Sequence, residues 1–189
     1  MKSFHRHPAW CCLILAASLA LTACGSRETR VEIGNREQIL HLANGSEPQN
    51  LDPHTVTGVP EHNIIVALLE GLVSEDPTDL TPVPGVAERW DISEDETVYT
   101  FHFREDARWS NGDPVTALDF VNSFKRILTP TLAGEYAYML FVMKNAEAYN
   151  KGEITDFSEV GATAVNDRTL QITLNNPAPY FLSLLNHSS

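Results

Sequence analysis

The sequence predicts an α+β fold, and three observations carry that expectation. Two stretches alternate apolar and polar residues around turn signals, as antiparallel hairpins do. About four further stretches repeat apolar residues at helical spacing, and no internal repeat or low-complexity run separates them. With 189 residues, 43% of them apolar and 20% charged, the chain is long enough to bury one core or two small ones. A net charge of −12 argues against a nucleic-acid partner, because phosphate binding is driven by clustered Lys and Arg that release counterions.

The elements follow in chain order. Met1 to Pro8 carries Lys2 and Arg6 and no acid, and Ala9 to Ala23 is apolar except for Ser18 and Thr22. At about fifteen residues that run is shorter than the ~20 that span a bilayer, so residues 1–23 read as a signal peptide. It ends Leu21-Thr22-Ala23-Cys24, which resembles the lipobox of bacterial lipoproteins and implies lipid attachment at Cys24. Cys11 and Cys12 leave with the leader, so Cys24 is the one cysteine of the mature chain, and a disulfide, a thiol nucleophile and a Cys-ligated zinc are excluded there. Lys2 and Arg6 leave as well: 13 bases become 11 against 25 acids, and the charge becomes −14. Residues 24–38 are polar without periodicity and are expected to be a flexible tether.

Ile39 to Ala43 is a short apolar run closed by Asn44-Gly45, expected as a buried strand. Pro48, Pro53, Gly58 and Pro60 then make residues 46–60 a loop, with Pro60 holding Val59 extended. From Glu61 the apolar positions Ile64, Ile65, Leu68, Leu69 and Leu72 predict a core helix, with Gly71 placed for a left-handed cap. Pro77, Pro82 and Pro84 mark residues 76–85 as a connection.

Residues 89–104 predict a hairpin turning at Glu94-Asp95-Glu96, with Tyr99, Phe101 and Phe103 on one face. Asn111-Gly112-Asp113-Pro114 is a turn. Thr116 and Asp119 form a near capping box for a helix carrying Phe120, Val121, Phe124, Ile127 and Leu128, stopped at Pro130. A third helix is expected over about 135–150. A second hairpin turns at Asn166-Asp167-Arg168, and a last apolar helix covers Tyr180 to Leu185. That helix ends without a closing strand, from which a truncated chain is expected.

Chemistry is sparse. GxSxG, GxxxxGK and HExxH are all missing, and His54 and His62, eight residues apart, have no evident third ligand for a metal. Glu94, Asp95 and Glu96 read as a solvated tip, so no catalytic residue, cofactor or metal site is expected. The loop EPQNLDPHTVTGVPE, residues 47–61, is the segment of interest. From the residues alone it reads first as a connecting loop; the alternative is that its extended backbone pairs with another extended chain as an added strand, recognising peptide through its main chain.

Several stretches together resemble one family: SEPQNLDPH, GVPEHNI, LLEGLVSED, PGVAERWDISEDETVYTFHFREDARWSNGDPVTALDFVNSFKR and NPAPYFLSLLNH. They look like the oligopeptide-binding lipoproteins and periplasmic proteins of peptide-importing ABC transporters, the family 5 solute-binding proteins. The resemblance runs from Ile39 to His187. It implies a periplasmic-binding-protein-like fold with an extra accessory domain, present here in part: residues 39–69 as the first segment of lobe I and residues 70–189 as most of the accessory domain.

It further implies an exported, lipid-anchored monomer at the extracytoplasmic membrane face. Such a protein captures oligopeptides for the permease subunits of an importer without doing chemistry. Carried over by position, ligand contacts fall on Thr57, Gly58, Val59 and Tyr136. Thr57 departs from the pattern, since peptide-binding relatives can have an acid there. The alternatives are an adaptor lipoprotein that binds a protein partner and an exported hydrolase.

Overall fold

The computed structural model describes residues 28–187, and the chain divides into two compact units, one up to Ala43 and one from Asn44 onward. The expected signal peptide, residues 1–23, and Cys24 lie outside the described residues.

In the first unit, α1 spans Arg30–Glu37. It replaces the structureless tether expected for this part of residues 24–38. Thr29 and Glu32 form a reciprocal capping box, with Glu32 Oε2 accepting the Thr29 N–H at 2.7 Å and Thr29 Oγ1 accepting the Glu32 N–H at 3.2 Å. Gln38 closes the helix in the left-handed region. Four residues of T-x-x-E outweigh the polar composition because they satisfy the orphan donors of the first turn. The apolar run after α1 is a second correction. Ile39 to Ala43 is irregular, and Leu40 and Leu42 are exposed, because a strand needs a neighbour and the run pairs with none among the described residues.

In the second unit, residues 44–58 form a loop of turns and α2 spans Val59–Leu68. Helix formation begins two residues earlier than Glu61, since Pro60 suits the first turn, where its missing N–H costs no hydrogen bond. The helix is not core: Glu61 and Ile65 are buried, while Val59, Val66 and Leu68 are exposed. Nor does Gly71 form a left-handed cap; Leu69 ends the helix in extended conformation. Gly71 instead meets Gly85 at close range, accepting the Val86 N–H at 3.0 Å, and a methyl on Gly85 would lie 2.6 Å from that same carbonyl oxygen. The proline-marked connection is itself a small hairpin, β1 (Val73–Glu75) with β2 (Pro82–Pro84).

The main sheet has strand order β3-β4-β6-β5, all antiparallel, from β3 (Ala87–Ile92), β4 (Val98–Phe103), β5 (Ala162–Asn166) and β6 (Thr169–Thr173). Both predicted hairpins are present. Tyr99, Phe101 and Phe103 point into the core with Leu170 and Ile172, as alternation requires of a sheet covered on one face.

Across that face lies α3 (Ala117–Leu128), whose Asp119 carboxylate takes both the Thr116 N–H and its hydroxyl. Phe120 meets Phe103 edge-on at 5.1 Å. The single helix expected at 135–150 is split into a 3₁₀ segment, Glu135–Val142, and the short α4, Ala146–Asn150. The last helix, α5, covers Phe181–Leu184, and the fully buried Phe181 packs on Tyr99 at 4.9 Å.

Candidate functional site

The loop ahead of α2 is held by its own chain and by α3. Asp52 accepts the His54 N–H, and Asn50 Oδ1 accepts the Asp52 N–H at 2.8 Å, so each turn is closed by a side chain. Asn44 donates to the Pro60 carbonyl at 3.1 Å, and the buried Glu61 carboxylate accepts the Gln49 N–H at 2.7 Å. These bonds tie the opening part of the loop to the first turn of α2.

The middle of the loop is fastened to α3. Arg126 donates to both oxygens of Asp52, at 2.7 and 2.5 Å, in the two-pronged arrangement that suits a planar guanidinium. The same Nη1 lies 2.8 Å from His54 Nδ1, and His54 Nε2 lies 3.1 Å from Ser123 Oγ. A guanidinium has hydrogens and no lone pair to offer, so Nδ1 is the acceptor and Nε2 carries the proton toward Ser123. His54 is buried, and burial together with the Arg126 charge lowers its pKa, opposed by Asp52. The Arg126 guanidinium in turn holds the Asp52 carboxyl below the usual range.

Between these fixtures, Thr57 and Gly58 run over the surface. Gly58 is extended, at φ −87° and ψ 151°, and precedes α2 as its N-cap. Val59 is exposed but helical, so the extended stretch stops one residue short of that expected. Its N–H belongs to the first turn, where no intrahelical acceptor exists.

Tyr136 sits half-buried in the 3₁₀ segment, its ring 4.5 Å from His187 and 6.5 Å from Tyr138. Among the described residues Tyr136 makes no hydrogen bond or ring contact with Thr57, Gly58 or Val59. Gly134, two residues before Tyr136, approaches the loop at His54, where an added methyl would lie 2.9 Å from the His54 carbonyl oxygen.

A cavity of about 550 Å³ opens between the His54 turn, α2, α3 and the residues after α5, and none of the four expected contact residues lines it. His54 is committed to Arg126 and Ser123, and no cluster of three or more metal-ligating side chains occurs among the described residues. Sequence reasoning weighed His54 only as a metal ligand, and it missed Gln49, Asp52, Glu61, Ser123 and Arg126. Their one signal is the LDPH stretch, whose acid and histidine read as loop polarity until a guanidinium 74 positions away is placed beside them.

Comparison with known proteins gives a consistent result. Residues 81–189 match the bacterial extracellular solute-binding proteins, family 5 Middle. The periplasmic oligopeptide-binding protein OppA of Escherichia coli is 48% identical over 157 residues, covering 81% of this chain and 28% of that protein. The dipeptide-binding protein DppE of Bacillus subtilis is 38% identical over 186 residues, covering 93% of this chain and 33% of its own length. Among solved structures, Haemophilus influenzae OppA in complex with RPPGFSPFR superposes with a TM-score of 0.72 at 44% identity, over 77% of this chain and 28% of that one. The chain thus spans about a third or less of the length of these relatives.

Proposed function

The chain belongs to the bacterial extracellular solute-binding proteins of family 5, substrate-binding proteins of transporters and not enzymes, and on that footing we propose that it forms part of an oligopeptide receptor for an ABC importer. In this reading residues 39–69 are the first segment of lobe I and residues 70–189 most of the accessory domain. Thr57 and Gly58 offer their backbone along the ligand, Val59 adds its unclaimed N–H, and Tyr136 faces the ligand from the accessory side. A lipid on Cys24 holds the receptor at the extracytoplasmic membrane face, where it meets the permease subunits.

The observation that carries the reading is the clamped loop. Asp52, His54 and Glu61 fix both flanks of an exposed extended backbone that has no side-chain work of its own. A preordered main-chain edge recognises peptide irrespective of side chains and binds without a loop-ordering cost.

The test is the melting temperature of the native protein, isolated from its source membranes, with and without RPPGFSPFR, the nonapeptide bound by the H. influenzae relative. A ligand that binds only the folded state raises the melting temperature as its concentration exceeds Kd. Unchanged melting with this peptide and with a mixed library of shorter ones would remove the peptide reading. For the anchor, Cys24→Ser is expected to move the protein from the membrane to the soluble fraction; retention at the membrane counts against lipidation.

A further inference from the structure

We propose that His54 is a positioning residue that latches the 50–58 loop to α3 only while its ring is neutral, so that acidification releases the loop. Nδ1 faces Nη1 of Arg126 at 2.8 Å, and Arg126 can only donate. A proton added at Nδ1 puts two donors against each other, beside a guanidinium already engaged with both oxygens of Asp52. The ring is buried and cannot keep that proton where it stands. It must swing away, and its bond to Ser123 is lost with it.

Two charges act on the ring: Arg126 from α3 opposes the second proton, and Asp52 on the loop itself favours it. The Gly134 turn approaches the His54 carbonyl with backbone alone. Glu70, Glu75 and His187 also line the cavity that His54 borders. The sign is fixed accordingly. Above 6.5 the ring is neutral whether the loop is docked or free. Below 6.5 the free loop takes up a proton that the docked loop refuses, and docking weakens.

The latch itself does not depend on the peptide-receptor reading; only its bearing on ligand capture rests on it. The experiment is hydrogen exchange of the backbone amides of residues 49–58 in the native chain between pH 7.5 and 5, corrected for intrinsic rates, in wild type, His54→Gln and His187→Gln. Gln can accept from Arg126 and donate to Ser123 without titrating. In wild type the opening equilibrium is expected to rise by up to about tenfold per pH unit below 6.5. The rise should be absent in His54→Gln and kept in His187→Gln.

Protection that stays flat in wild type overturns the proposal, and that measurement stands even if a variant fails to fold. A rise that persists in His54→Gln overturns it equally. The affinity for RPPGFSPFR, followed over the same range, separates the two ideas. A loop that unlatches with no change in affinity upholds the latch and removes Thr57 to Val59 from the ligand site.

Discussion

Gly58 shows how a residue's reason can differ from its reputation. Its φ of −87° is open to any amino acid, so the left-handed argument does not apply. The constraint is steric: a methyl at this position would collide with Oε2 of Glu61, whose carboxylate is buried and bound to the Gln49 N–H. Gly58→Ala is therefore expected to destabilise the chain by about 1–2 kcal/mol, by displacing a buried carboxylate from its donor. Urea denaturation measures this, and Gly58→Ala combined with Glu61→Ala should cost less than the sum of the two single changes. Additive costs would show that the collision is relieved elsewhere. The sequence revealed the glycine but not its partner, because the Glu61 side chain folds back from the first turn of α2 into that space.

At the scale of elements, the hairpins and α3 were legible because their signals are local: alternation at period two, a turn with fitting residues, a capping box. Residues 135–150 misled because their apolar spacing serves two helices. The buried residues Ala137, Leu140 and Met143 repeat every three, which is the 3₁₀ period, while the same stretch also fits an α-helical stripe. The choice is made by distant backbone. Lys144 donates to the Thr173 carbonyl at 2.9 Å and accepts from the Gly161 N–H at 2.9 Å, which pulls residues 143–145 out of any helix and beside the sheet.

Asn175 secures the same junction, its side-chain amide donating to the Phe141 and Met143 carbonyls at 3.1 Å each. Asn175→Ala leaves two acceptors to be rehydrated at a part-buried site, and a loss of about 1–3 kcal/mol is expected in thermal or urea unfolding. A loss below about 0.5 kcal/mol would mean that the β6 pairing alone sets the break. Ile39 to Ala43 failed for the converse reason. Its local pattern is that of a strand, but strand formation is a property of pairs.

For the whole molecule, the family was legible from unbroken motif order and the site only in part: the loop was evident, whereas the clamp joins residues 74 apart and leaves no local trace. The clamp and the loop do not by themselves enclose a ligand. Thr57 and Val59 are exposed, and a chain laid along an exposed segment keeps one side in water. Binding sites that hold small ligands firmly bury 70–90% of the ligand surface, and association must first offset lost translational and rotational freedom. In the peptide-receptor reading residues 24–189 supply only part of that enclosure, since the chain matches only 28–33% of the relatives' length.

We therefore expect residues 24–189 alone to bind RPPGFSPFR at least about 100-fold more weakly than the native receptor, a difference of roughly 3 kcal/mol. Calorimetry on both proteins under one buffer and temperature decides it. Equal affinities would mean that the Thr57–Val59 segment and its clamp hold most of the ligand, and the search for its remaining contacts would then move to the 550 Å³ cavity beside His54.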